Sequence, residues 1–176
     1  MTKLILLIGL PGSGKSSLAQ QLVAECPQRR LISTDAIRAQ LFGDENIQGT
    51  WLLVWQRLQE QLLQALELIS LGQASEAIYD ATNAAPKQRQ EAIALARDCG
   101  FTHLTALWVN TPIEVCLERN QKRSRHVPEG VIWQMYRQLQ DAPPSLSEGL
   151  DRLICYSSAS TEIAISALGN NQTEFP

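Results

Sequence analysis

The chain has 176 residues, of which 44% are hydrophobic and 19% are charged, a composition that predicts a folded domain and excludes the disordered and fibrous classes. The formal net charge of −3 argues against a protein that coats nucleic acid through its overall charge, because neutralising phosphates requires clustered lysine and arginine. No stretch of the sequence approaches the roughly 20 apolar residues of a membrane-spanning helix. We therefore expect a soluble, cytoplasmic protein with no membrane partner.

Short apolar runs alternate with helical patterns along the whole chain. The runs that predict buried strands are Leu4–Ile8, Arg30–Ser33, Glu76–Asp80, His103–Val109 and Arg152–Cys155. Such alternation favours an α/β fold, with a parallel sheet of about five strands and helices on both faces. We expect one domain over residues 1–176, in which residues from about 157 to 176 form a peripheral polar tail.

A glycine-rich loop separates the first predicted strand from the first predicted helix, which runs from near Gly14 to about Glu25. Residues 9–16 read GLPGSGKS and match G-x-x-x-x-G-K-[ST] in full, in the strand-loop-helix context that the motif requires. Backbone N–H groups and the helix N-terminus bind phosphate in such a loop, while Lys15 would reach the β and γ phosphates and Ser16 would bind Mg²⁺. The nucleotide-binding residues expected from the loop are Gly9, Gly12, Ser13, Gly14, Lys15, Ser16 and Ser17.

Residues 33–38, with the sequence STDAIR, follow the second predicted strand. Asp35 has two interpretations: it caps the next helix, or it is a general base at the carboxyl end of a strand, where ligands of open α/β sheets bind. Arg38 lies one helical turn later on the same face, where it either clamps an anionic group of an acceptor or is an ordinary solvated arginine.

The longest predicted helix covers Trp51–Leu71 and ends at Gly72. Its apolar face, with steps of three and four residues, consists of Trp51, Trp55, Leu58, Leu62, Ala65 and Ile69. We interpret the two tryptophans as core residues rather than as a platform for a bound cofactor.

Asp80 ends the third predicted strand and begins the sequence DATN. Its carboxylate either orients a Mg²⁺-bound water or holds a lid arginine, or else Asp80 or Asn83 caps the next helix. That helix is predicted to open at Pro86 and to end near Gly100. Further along the chain, the sequence NTP predicts a helix start with Thr111 as its cap.

A basic run follows, with Arg119, Lys122, Arg123 and Arg125 and no acid between Glu118 and Glu129. Such a run is usually a solvated face, but this one lies between two helical patterns and straddles a break at residues 127–128, before a helix over 129–139. This position favours a lid over about 119–130 that closes on a bound triphosphate. Arg119 and Arg123 would share a helix face if the helix continues, and which of the three arginines contacts the nucleotide is left open.

The segments GLPGSGKSS, STDAIR, YDATN and RNQKRSRHVPEGVIWQMY give the chain, from about residue 3 to about 155, a resemblance to the polynucleotide 5′-hydroxyl kinase-like branch of P-loop kinases. The resemblance implies a P-loop NTPase fold and transfer of the γ-phosphoryl group of ATP, with Mg²⁺, to an acceptor hydroxyl. It implies catalytic roles for Lys15, Asp35 and the lid arginine Arg123, with Arg119 as a further expected nucleotide ligand. The residues expected on the acceptor side are Asp35, Arg38 and Asp80.

The acceptor stays open, because that branch also phosphorylates small hydroxyl compounds, aminoacylated RNA and activated sugars. The first hypothesis is a kinase of a 5′-OH polynucleotide end. The second keeps the chemistry but has a small hydroxyl compound or a nucleoside as the acceptor. The third is an ATP-binding switch without kinase activity, in which Asp35 is only a helix cap.

Overall fold

The computed structural model of the chain describes residues 1–45, 47, 49–123 and 126–156. Strands and helices alternate over these residues, as predicted. The strands are β1 (Lys3–Ile8), β2 (Arg29–Ser33), β3 (Glu76–Asp80), β4 (His103–Val109) and β5 (Arg152–Tyr156). The helices are α1 (Lys15–Glu25), α2 (Thr34–Phe42), α3 (Trp51–Ser70), α4 (Pro86–Cys99), α5 (Ile113–Gln121) and α6 (Glu129–Asp141), with a short 3₁₀ turn at Leu146–Glu148. The predicted tail over 157–176 lies outside the described residues.

The five strands form one parallel sheet in the order β2-β3-β1-β4-β5. Because all of them run in the same direction, their carboxyl ends meet at one edge of the sheet. Asp80 at the end of β3 is in register with Ser33 at the end of β2. The strand on the other side of β3 is β1, which leads into the glycine-rich loop. This edge therefore gathers the three predicted site segments.

Helices cover both faces of the sheet, which confirms the predicted fold class. In β1, Leu4, Leu6 and Ile8 belong to a core cluster shared with α3, α4 and α6, whereas Ile5 and Leu7 pack in a second cluster with α1. The alternation is the two-residue period of a strand with both faces buried. None of the described helices combines the length and apolarity needed to cross a membrane.

The buried face of α3 differs from the prediction at its N-terminal turn. Val54, Leu58, Leu62 and Ala65 are buried, but Trp51 is 45% exposed. The interpretation of both tryptophans as core residues is therefore wrong for Trp51. The helix begins in front of the carboxyl edge of the sheet, so its first turn faces a cavity instead of the strands.

The start of α5 also departs from the prediction. The helix begins at Ile113, Pro112 is its N-cap residue, and no side chain caps it. The hydroxyl of Thr111 instead donates a hydrogen bond of 2.8 Å to the carbonyl oxygen of Ser13. Thr111 thus joins the end of β4 to the glycine-rich loop.

Candidate active site

A cavity of about 710 Å³ opens at the carboxyl edge of the sheet. The glycine-rich loop and the start of α1 form its floor, and α2, α3 and the end of β3 line one side. The basic segment after α5 and the first turns of α6 also line it. The predicted site residues that line the cavity are Gly12, Gly14, Lys15, Ser16, Ser17, Asp35, Arg38, Asp80, Arg119 and Arg123.

The glycine-rich loop owes its shape to a close approach of two backbones. A Cβ atom on Gly12 would collide with the carbonyl oxygen of Cys116 in α5, and the φ angle of Gly12 is 80°. Gly14 is the N-cap of α1 with a φ angle of 101°. Gly9 and Ser13 are not among the cavity-lining residues, because Ser13 is only 3% exposed and Gly9 packs between it and the carbonyl of Val109.

Lys15 is the buried cation of the site. The residue is only 6% exposed, and its Nζ donates a hydrogen bond of 2.8 Å to the carbonyl oxygen of Leu10. Burial, with a smaller contribution from the charge of Arg123, lowers the pKa of Lys15 to about 8, although Asp80 and Asp35 act in the opposite direction. A triphosphate placed here would favour the charged form of Lys15.

Asp80 and Ser16 bring two oxygen donors together. Asp80 is 7% exposed, and burial raises its pKa, while a hydrogen bond with Ser16 and the charge of Lys15 act against that rise. Oxygen ligands suit Mg²⁺, which usually takes one or two protein oxygens and completes its shell with phosphates and water. The pair therefore fits Mg²⁺, and the described part of the chain contains no larger cluster of potential metal ligands.

Neither Asp80 nor Asn83 caps the following helix, so that alternative is wrong. The N-cap of α4 is Ala85, without a side-chain hydrogen bond. Asn83 has a φ angle of 47°, and its Nδ2 donates a 2.7 Å hydrogen bond to the carbonyl oxygen of Leu7. This bond fixes the β3–α4 loop to the end of β1 and thus keeps Asp80 beside the phosphate loop.

Asp35 is not the cap of α2 either. The N-cap residue is Ser33, whose Oγ accepts a hydrogen bond from the backbone N–H of Ala36 at 3.5 Å. Asp35 lies in the first turn and lines the cavity, with one of its carboxylate oxygens 3.2 Å from Nη1 of Arg38. Arg38 lines the cavity as well, and its Nε is buried without a hydrogen-bond partner among the described residues.

The two lid arginines reach the cavity from different backbone positions. Arg119 is in the last turn of α5, and its Nη1 lies 3.5 Å from the carbonyl oxygens of Gly12 and Ser13. Because α5 ends at Gln121, the helix does not continue to Arg123, yet both arginines line the cavity. The charge of Arg123 affects the pKa of both Lys15 and Asp80. Arg125 lies outside the described residues.

Several cavity residues were not predicted as site residues from the sequence. They come from α3, β3, α4, the lid and α6, and they include Trp51, Trp55, Tyr79, Gln88, Glu91, His126, Val131 and Met135. The four-residue spacing of the tryptophans was visible in the sequence, but the same spacing is typical of a core stripe. Tyr79 is buried beside Arg38, and burial raises the pKa of its hydroxyl.

The parallel sheet and the phosphate loop at its carboxyl edge define a P-loop nucleotide-binding protein with a kinase-like α/β fold. The chain belongs to the AAA domain family, whose profile matches residues 4–142.

Two curated relatives have names that describe phosphoryl transfer. The L-seryl-tRNA(Sec) kinase of Methanococcus maripaludis is 26% identical over 149 residues, which cover 80% of this chain and 53% of the relative. The mitochondrial GTP:AMP phosphotransferase of Saccharomyces cerevisiae is 29% identical over 159 residues, which cover 84% of this chain and 68% of the relative. The chain thus spans about half of the first relative and about two thirds of the second.

Solved structures share the fold. A chain of the Pnkp1/Rnl/Hen1 RNA repair complex superposes with a TM-score of 0.64 and 21% identity, covering 80% of this chain and 44% of that one. The tunicamycin resistance protein of Deinococcus radiodurans has a TM-score of 0.63 and 17% identity, with 100% coverage of both chains. At these identities the likeness concerns the fold alone.

Proposed function

We propose that this protein is an ATP-dependent phosphotransferase that moves the γ-phosphoryl group to an acceptor hydroxyl, with a 5′-OH polynucleotide end as the acceptor. One observation carries the proposal: Lys15, Asp35, Asp80 and Arg123 line one cavity, and the charges of the other three all act on Lys15. A cation, a potential base, a potential metal ligand and a lid arginine are the parts that phosphoryl transfer requires. The two curated relatives described above also have names that describe this class of reaction.

On the donor side, the backbone amides of the loop and Lys15 hold the β and γ phosphates. Arg119 and Arg123 bind the same phosphates from the lid and stabilise the charge that develops on the transferring group. Ser16 and Asp80 are the residues that would hold Mg²⁺, which neutralises phosphate oxygens when bound.

On the acceptor side, Asp35 removes the proton of the acceptor hydroxyl while the hydroxyl oxygen forms a bond to the γ-phosphorus. The bond between that phosphorus and the β–γ bridging oxygen breaks, and ADP leaves with the bonding electrons. Arg38, which contacts Asp35, orients the carboxylate, and its guanidinium group at the cavity binds an anionic group of the acceptor. A phosphate next to the hydroxyl, as at a polynucleotide end, would pair with that guanidinium group.

A second candidate acceptor is a small hydroxyl compound or a nucleoside. The net charge of −3 and the bounded cavity of about 710 Å³ favour it, because a long polynucleotide gains affinity from an extended basic surface.

Transfer of radiolabel from γ-labelled ATP in the presence of Mg²⁺ tests the proposal, with 5′-OH DNA, 5′-OH RNA and a nucleoside pool as separate acceptors. We expect label on the oligonucleotides, a drop of about 10²-fold or more with Asp35→Asn, and nearly unchanged ATP affinity. Arg38→Ala should mainly raise the acceptor KM. Label on the nucleosides alone would support the second candidate. Bound ATP with no label on any of these acceptors would contradict the polynucleotide acceptor and favour a small hydroxyl compound outside this set first and an ATP-binding switch second.

A further inference from the structure

Trp51 and Trp55 form an aromatic shelf at one end of the cavity. Their ring centroids are 5.9 Å apart and the planes are tilted by 41°. Both rings line the cavity, Trp55 is partly buried against the core, and Trp51 is 45% exposed. A half-exposed indole adds little to the core, because the buried stripe of α3 begins only at Val54.

The shelf adjoins the proposed acceptor machinery. The guanidinium carbon of Arg38 lies 5.9 Å from the ring centroid of Trp51, within the range of a cation–π contact, and Arg38 also bonds Asp35. The helix that carries Asp35 and Arg38 follows β2 at one end of the sheet, whereas the lid arginines follow β4, on the other side of β1. The shelf therefore lies on the side of the proposed base.

Indole rings stack on flat aromatic rings of many kinds, since every such ring has a π face, and each stacking contact contributes substantially to binding. The apolar side chains of Val131 and Met135 in α6 line the same cavity. The cavity therefore offers an aromatic ring further apolar surface besides the two indoles, and the Arg38 cation next to Trp51 also interacts favourably with π systems.

We propose that the aromatic shelf binds a flat aromatic or heteroaromatic ring of the acceptor, an inference that rests on the proposed phosphotransfer. Trp51 is then a specificity-determining residue: it selects acceptors that carry such a ring near the hydroxyl and rejects aliphatic ones. The ring and the attacking hydroxyl would be held at Trp51 and Asp35, with Arg38 between them.

Equilibrium binding of adenosine, thymidine and D-ribose tests the shelf without depending on turnover. The donor site is first saturated with Mg²⁺ and adenylyl imidodiphosphate, so that a nucleoside reports on the acceptor side. The variants are Trp51→Leu, Trp51→Phe and the control Leu52→Ala. Leu52 is 61% exposed and is not among the cavity-lining residues. Thermal unfolding checks that each variant folds.

We expect the wild-type protein to bind both nucleosides and the Leu52→Ala variant to bind each of them with the wild-type affinity. Trp51→Leu should weaken that binding by about tenfold or more, and Trp51→Phe should restore part of it. Equal nucleoside affinity in the wild type and Trp51→Leu would overturn the inference. It would also fail if D-ribose bound as tightly as adenosine, or if neither nucleoside bound the wild type. Nucleoside binding without any phosphoryl transfer would leave the ring site standing and contradict the proposed function alone.

Discussion

The side-chain amide of Asn120 is hydrogen-bonded at both ends to the backbone of Val127. Its Nδ2 donates to the Val127 carbonyl oxygen at 2.8 Å, and the Val127 N–H donates to Oδ1 at 3.0 Å. Asn120 is only 2% exposed. The two residues lie on either side of Arg123 within the predicted lid, so this pair forms a neck that fixes the chain on both sides of that arginine.

Replacing Asn120 by Ala should loosen the lid. The change removes both partners of Val127 and should lower the free energy of unfolding by about 1–3 kcal/mol. Because Arg123 is then less well held, we also expect a higher KM for ATP and a lower kcat. Urea unfolding and steady-state kinetics measure the two effects.

Gln121→Ala is the control for that experiment, because it removes a hydrogen bond of 3.1 Å to Glu129 between two exposed side chains. Its effect on stability should stay within about 0.5 kcal/mol. If Asn120→Ala lowers the stability but leaves both kinetic constants at the wild-type values, the neck is structural and does not position Arg123.

The contact between the phosphate loop and α5 gives a second prediction, which concerns the replacement of Gly12. Gly12→Ala should disrupt the loop, because the new Cβ would collide with the Cys116 carbonyl and because the φ angle is 80°. We expect loss of ATP binding in calorimetry and a lower melting temperature. Gly130→Ala, where nothing lies within 4 Å of the added Cβ, should leave both unchanged or slightly raise the stability. An ATP affinity that survives Gly12→Ala would contradict the close approach as the reason for glycine.

The fold and the phosphate loop could be predicted from the sequence because their signals are local. A strand shows its two-residue period, and eight consecutive residues carry the loop motif. The cap assignment of Thr111 and the cap alternative for Asp35 were both wrong, because a side chain that can cap a helix can also bond elsewhere, and only the tertiary structure decides. The hydroxyl of Thr111 bonds a loop carbonyl 98 positions away. Trp51 belongs to a regular apolar stripe, and its exposure depends on where the helix passes the sheet edge.

A buried ion pair between residues far apart in the sequence is another feature that only the tertiary structure reveals. It gives a third prediction. Arg89 is fully buried, and its Nη2 lies 2.7 Å from a carboxylate oxygen of Glu148, which is 59 positions away. Arg89 also donates to the carbonyl oxygens of Ala84 and Ala142. It thus fixes α4, beside the cavity, to the turn after α6.

Arg89→Met should lower the free energy of unfolding by about 3–5 kcal/mol, because the Glu148 side chain, which is only 9% exposed, loses its charged partner. The control is Arg57→Met, which removes an ion pair between exposed side chains of Arg57 and Glu60 and should cost less than about 1 kcal/mol. In denaturant unfolding, Arg89→Met combined with Glu148→Leu should cost less than the sum of the single changes. Strict additivity would show that the two side chains do not stabilise each other.

The pKa of Lys15 predicts how stability and ATP binding change with pH. Burial lowers this pKa from 10.5 to about 8 in the folded protein. Between these two values the unfolded chain binds more protons than the folded one, so the stability of the unliganded protein should rise with pH in that window. Below pH 8 the buried charge destabilises the fold, by an amount on the order of 3 kcal/mol. Lys15→Met should therefore raise the stability at neutral pH and remove the rise at higher pH.

Bound triphosphate has the opposite effect on Lys15, because phosphate oxygens favour the charged ammonium group. Above the ligand-free pKa of about 8, ATP binding should take up a proton, and the affinity should fall as the pH rises. Calorimetry of ATP binding at about pH 8.5, in two buffers that differ in ionisation enthalpy, measures this uptake. The Lys15→Met variant should bind ATP more weakly and take up no proton. The same uptake in that variant would mean that another group titrates and that Lys15 does not meet the phosphates.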